Sequence, residues 1–177
     1  MKKTKSILVA VFAMLIVTAT GFAQNFKDLD VSPMDATAYP TSNQVAEKKI
    51  KVYYSRPQLK GRSLTELTPS DKVWRTGANE STQITFYEDM MMGGTKIAAG
   101  TYSLFTIPGD KEWTIILSSD KNAWGSYSYD EKNDVARTTV PVTNGDKSLE
   151  AFSIAFDDEG TMHMGWDTKR VAVPFTK

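Results

Sequence analysis

The chain has no cysteine and a single histidine in 177 residues. The first absence excludes disulfides, thiol nucleophiles and a lipidated cysteine at a leader cleavage point. The second leaves only His163, too few for the usual histidine-rich catalytic zinc site. A Ser-His-Asp triad would have to use that same residue, and no Gly-x-Ser-x-Gly elbow is present. Phosphate loops and dinucleotide-binding glycine motifs are missing too. Charge of one sign is also lacking, with 21 Lys and Arg against 21 Asp and Glu. Loss of Lys2, Lys3 and Lys5 with a leader would leave a mildly acidic chain, which argues against nucleic acid and anionic membrane surfaces as partners. No amphipathic helix of three turns is visible, and the one long apolar run lies near the N-terminus.

That run, residues 7–19, follows three lysines and precedes Gly21-Phe22-Ala23, whose small residues stand where a signal peptidase reads. The pattern predicts a secretory signal peptide over residues 1–23, cleaved after Ala23, and export to a periplasm or beyond. The run is short for a spanning helix and no stop-transfer pattern follows, so no transmembrane segment is expected after leader removal. Residues 24–41 hold Pro33 and Pro40 with little apolar periodicity, and are expected to form an extended N-terminal arm. Residues 42–177 are expected to form one domain, large enough for a real core.

From there period-2 alternation dominates. Ile50, Val52 and Tyr54 alternate with Lys51, Tyr53 and Ser55, and Thr82, Ile84 and Phe86 with Gln83, Thr85 and Tyr87. Residues 101–107 and 113–117 flank Pro108-Gly109 and read as a hairpin. Further strands are expected at 135–142, 151–156, 161–166 and 171–175, with turns at Gly93-Gly94, Asn144-Gly145, Glu159-Gly160 and Asp167-Thr168. One helical turn is expected around residues 63–67. Many short strands with regular turn signals predict an all-β fold, a single antiparallel β-sandwich, jelly-roll-like. Its core should use Ile50, Val52, Ile84, Phe86, Tyr102, Leu104, Ile115, Leu117, Phe152, Ile154, Phe156, Val171 and Val173.

Several segments carry a resemblance: Tyr54-Ser55-Arg56-Pro57, Lys60-Gly61-Arg62, Val73-Trp74-Arg75-Thr76-Gly77-Ala78-Asn79-Glu80, Ala99-Gly100-Thr101-Tyr102-Ser103-Leu104, Trp124-Gly125-Ser126-Tyr127, Tyr129-Asp130 and Asp134-Val135-Ala136-Arg137. Together they resemble the uncharacterised bacterial family known as domain of unknown function 2911, found in exported proteins of Bacteroidetes-type bacteria. The resemblance runs over residues 32–175, and its most specific string is Arg75-Thr76-Gly77-Ala78-Asn79. It implies no activity, because that family has none to carry over.

The residues themselves suggest where chemistry could lie. Arg75 beside Trp74 offers a planar fork of donors and a stacking face for a carboxylate, phosphate or sugar. Asn79 both donates and accepts, and so could read a hydroxyl pair. The competing reading makes Arg75 half of a structural ion pair and Asn79 a turn residue. Arg56 and Arg62, on a loop bracketed by Pro57 and Gly61, could complete a cationic rim with Arg75. Trp124 and Tyr127, interleaved with Gly125 and Ser126, suit a shallow stacking groove, or equally a loop that fills the core. Met162-His163-Met164 is no chelate on a strand, since the methionines face one side and the histidine the other. Neither a metal nor a cofactor is expected.

These readings converge on an exported, non-catalytic binding or interaction module for a glycan or small anionic ligand in the cell envelope. Arg56, Arg62, Trp74, Arg75, Asn79, Trp124 and Tyr127 are the expected ligand-binding residues. One alternative is an envelope polysaccharide hydrolase using Glu80 and Asp130 as a carboxylate pair. The other is a protein-interaction domain of an envelope complex. Oligomeric state is open.

Overall fold

The computed structural model describes residues 26–68 and 70–177, so the expected leader at residues 1–23 lies outside it. In chain order the strands are β1 (Met34–Tyr39), β2 (Ile50–Ser55), β3 (Thr82–Phe86), β4 (Met90–Met92), β5 (Thr95–Ile97), β6 (Gly100–Pro108), β7 (Glu112–Ser118), β8 (Asp134–Pro141), β9 (Thr143–Phe156) and β10 (Thr161–Thr176). They form a six-stranded sheet, β1-β2-β3-β6-β7-β8, and a four-stranded sheet, β5-β4-β10-β9. All pairings are antiparallel. The two sheets pack face to face as a β-sandwich. Among the described residues no helix is long and apolar enough to cross a membrane.

The alternating apolar positions meet between the sheets. Every residue expected in the core is there, with Tyr102 only partly buried. At the centre Trp74 stacks on Trp166 with ring centroids 5.9 Å apart and planes at 15°. It meets Phe152 and Trp113 edge-on at 5.1 and 6.1 Å. Such edge and offset contacts suit the quadrupoles of aromatic rings and add to the area they bury. Met162, Met164, Met90 and Met92 are core residues, while His163 faces outward and pairs with Asp157 at 2.8 Å.

Four segments differ from expectation. A third of the arm is strand β1, paired along its length with β2, so the sheet takes in residues before 42. Its alanines and threonines carry too little apolar contrast to announce a strand. The Gly93-Gly94 turn joins two three-residue strands, β4 and β5, too short to show alternation. Asn144-Gly145 lies within β9, and Asp167-Thr168 is a bulge within one long β10. Arg170 explains both. Its guanidinium donates to the carbonyls of Asp167, Lys169 and Lys147 at 2.6–2.8 Å, lying across the β9–β10 ladder. A Cβ at Gly145 would stand 3.0 Å from that guanidinium, so the glycine leaves room for a side chain where a turn was expected. The expected helical turn is α1 (Leu64–Leu67), where Glu66 accepts from the Ser63 amide at 2.7 Å as in a capping box.

Candidate functional site

The string around Arg75 is an excursion from one strand line. Trp74 pairs with Thr106 of β6, N to O at 2.7 Å and O from N at 3.0 Å. Thr82 of β3 pairs two residues further along, with Leu104. The intervening residues leave the sheet and return. The Thr82 amide closes the loop on the Arg75 carbonyl at 3.1 Å, and its hydroxyl donates to the Thr76 carbonyl at 2.6 Å. Thr76 and Asn79 take positive φ values of 55° and 62°, which the tight path requires. Thr76 is fully buried, 3.1 Å from the Thr106 hydroxyl. The buried half of the string is therefore a knot that shapes the loop. Arg75, Asn79 and Glu80 are left toward the outer face of the six-stranded sheet.

A second loop, residues 119–133, folds over that outer face and is laced to the first. Ser81 N donates to Ala123 O at 2.8 Å, Gly125 N to Asn79 O at 3.0 Å, and Ser126 Oγ to Val73 O at 3.0 Å. Beneath it Phe105, Ile116 and Ala123 form a small second core, with Tyr129 edge-on to Phe105 at 5.2 Å. Gly125 sits at φ 69°, and a Cβ there would come 2.7 Å from the Tyr127 ring and 3.3 Å from Arg75 Nη1. Glycine lets Arg75, Tyr127 and the loop backbone crowd together at this point. The loop's far end is pinned by the Tyr129 hydroxyl, which donates to the Asp134 carboxylate at 2.8 and 3.0 Å. Arg137 Nη2 donates to both, at 2.8 Å to the phenol oxygen and 2.9 Å to the carboxylate. Burial first, then the bond to Asp134, pushes the Tyr129 hydroxyl up to about 12.

The loop covers only part of the outer face. Beside its edge lies an open cleft of about 280 Å³. Its floor is the outward side of β3 and β6: Ser81, Gln83, Thr101 and Ser103. One wall carries Met34 and Tyr53, from β1 and β2; the other carries Glu80, Lys121 and Asn122, from the two loops. Ser81 and Ser103 hydroxyls lie 3.1 Å apart on the floor. The lining holds one carboxylate and one ammonium, so its charges balance.

The expected site residues divide into two groups. Arg75, Asn79, Trp124 and Tyr127 come together on the laced loops, with Trp124 and Tyr127 62% and 85% exposed. Glu80 joins them, bridged to Trp124 and lining the cleft. Arg75 Nε is buried without a hydrogen-bond partner among the described residues. Arg56 lies elsewhere, bonded to Phe152 O at 3.1 Å, Ser153 Oγ at 2.8 Å and Asp35 at 3.0 Å, so that it ties β1 and β2 to β9. Arg62 folds back on the carbonyls of Leu59 and Gln58, at 3.0 and 2.9 Å. Trp74 is in the core. Asp130 does not line the cleft; it accepts from Lys132 N at 3.0 Å and starts the short 3-10 turn Glu131–Asn133.

The cleft floor went unread in the sequence. Tyr53, Gln83 and Ser103 are aligned by strand register, Tyr53 opposite Gln83 and Gln83 opposite Ser103, and register is not written in any one segment. The family described as "Protein of unknown function (DUF2911)" matches residues 32–175. The chain belongs to that family. The matched span takes in both loops and all of the cleft, so the site is built within the DUF2911 domain. No curated protein and no solved structure matches the chain.

Proposed function

We propose that this DUF2911 protein is an exported, non-catalytic binding module of the cell envelope that takes a glycan or small anionic ligand on the outer face of its six-stranded sheet. The observation that carries the reading is the cleft. It is a concave surface of mixed polar and apolar lining, floored by strands and walled in part by the laced loops, which also carry the exposed Trp124 and Tyr127. Binding residues favour loops held by such a scaffold. Arg75 and Asn79 on the excursion loop would orient polar groups at the rim. The leader expected from the sequence at residues 1–23 is what supports the exported setting.

A hydrolase would need two carboxylates flanking one bond. The cleft offers Glu80 alone, while Asp130 lies outside it and caps a turn. The test is a screen of envelope glycans and small anions against isotope-labelled protein, residues 24–177. Binding should shift the amides of Tyr53, Gln83, Ser103 and residues 119–127 without any product forming. Ligands that map to the four-stranded sheet, a polysaccharide that is cleaved, or no hit in either set would each overturn the reading.

A further inference from the structure

The cleft's chemistry narrows the ligand class. An anion site needs converging cations or free backbone amides. Arg56 and Arg62 are held by carbonyls and an aspartate outside the cleft, and Arg75 does not line it. Lys121 is the sole cation of the lining, and Glu80 on the same wall offsets it. The floor's amides are bonded within the sheet, because β3 lies between β2 and β6. A peptide strand would therefore find no open ladder there either.

The remaining groups are neutral and match the two surfaces of a sugar ring, a C–H face and a hydroxyl edge. Tyr53 and Met34 supply the apolar wall, both exposed. Lys51, which does not line the cleft, holds its ammonium 4.9 Å over the Tyr53 ring and steadies it. Ser81, Gln83 and Ser103 supply donors and acceptors. Two of these already pair, Ser81 with Ser103 at 3.1 Å. Among the described residues the Gln83 amide has no partner, although it stands at the middle of the floor on an interior strand. From Tyr53 to Ser103 is two strand spacings, about 10 Å. With about 280 Å³, the cleft lies at the small end of ligand sites, a size for one ring and its substituents.

We infer that the cleft holds an uncharged sugar ring, with Tyr53 as its stacking face and the Gln83 amide reading a pair of its hydroxyls; this rests on the binding function proposed above. Gln83 offers an acceptor and two donors on one rigid plane, and such pairs discriminate sharply when one partner is missing.

The test is calorimetric titration of wild-type protein, Gln83→Ala, Gln83→Glu, Tyr53→Ala and Trp124→Ala. The probes are neutral cello-, xylo-, malto- and chito-oligosaccharides, a uronic-acid oligomer and inorganic phosphate, at low and at physiological salt. Gln83→Glu keeps the side-chain shape, so its result stands even if a truncated variant folds poorly. A neutral oligosaccharide should bind with little salt dependence, and each Gln83 variant should weaken it about tenfold or more, one bidentate hydrogen-bond pair. Binding of phosphate or the uronic-acid oligomer alone, weakened by salt, would overturn the inference and leave the binding function standing. So would neutral binding that survives in the Gln83 and Tyr53 variants but is lost in Trp124→Ala. Absence of binding to every probe would overturn both.

Discussion

The two faces of the six-stranded sheet are built by different rules. Toward the second sheet lies a continuous apolar core centred on Trp74, Phe152 and Trp166. On the outer face the loop of residues 119–133 covers Phe105 and Ile116, and then stops. The strip it leaves bare is concave, balanced in charge, and mixes hydroxyl and amide groups with an apolar wall. The inner face sets stability, and the outer face is free to carry recognition. That division predicts opposite outcomes for chemically matched substitutions on the two sides.

The sharpest contrast is between two tryptophans. Trp74→Ala removes a ring 5% exposed and packed on three other aromatics, together with its bond to the Gly77 carbonyl at 3.2 Å. Such truncations cost about 4 kcal/mol, because the cavity cannot fully collapse. For a domain of this size Tm should fall on the order of 10 °C. Trp124, exposed on the outer loop, should change stability by less than about 0.5 kcal/mol when replaced by alanine. Thermal melts of the two variants check the division. Comparable losses would mean that the outer loop is part of the folding core.

Two arginines extend the contrast at smaller scale. Arg56 bridges the sheets through charge-assisted bonds to Phe152 O and Ser153 Oγ and an ion pair with Asp35. Its partial exposure discounts the ion pair, but the carbonyl and hydroxyl bonds remain, and Arg56→Ala should cost about 2 kcal/mol. Arg75 has no ion pair among the described residues, and its Nε is buried without a partner. Arg75→Ala should therefore leave urea stability within about 0.5 kcal/mol of wild type, or raise it, since an unmet donor is removed. A large loss at Arg75 would place it in the structural framework and outside the site.

How far this division could be read from the chain depends on where the signal sits. Alternation in residues 50–55 and 82–86 marked the inner face because it contrasts neighbours in sequence. The covered outer face left a weaker mark. Leu104-Phe105 and Ile115-Ile116 break the alternation, as strands buried on both sides do. Those pairs went unread, and alone they would not say which segment packs over β6 and β7. Arg75 and Asn79 in one segment, and Trp124 and Tyr127 in another, were visible as binding-competent types. Arg56, Arg62 and Trp74 looked the same in sequence, and only packing separates them. Tyr53, Gln83 and Ser103 could not be found together, since each is an ordinary outward residue until pairing aligns the three.

A loss smaller than those at Trp74 and Arg56 tests whether the outer loop is held as a fixed wall. Tyr129→Phe keeps the ring against Phe105 but removes the hydroxyl that donates to Asp134. Asp134, 11% exposed at its side chain, would be left with Arg137 as its charged partner. The cost at neutral pH should be about 1–2 kcal/mol. The pH dependence gives a second, independent reading. Tyr129 is raised to about 12 in the fold by burial and by Asp134, whereas an unfolded tyrosine titrates near about 10. Above that value the unfolded chain gives up its proton while the folded one keeps it. The stabilisation is therefore complete below about 10 and is lost as pH rises through about 12. Tyr54, also raised by burial, contributes in the same direction, so the alkaline slope should be shallower in Tyr129→Phe but not abolished. Urea unfolding across an alkaline series resolves the difference. An unchanged slope would mean that the hydroxyl titrates freely and the loop is not pinned at its far end. The cleft would then have one rigid wall and not two.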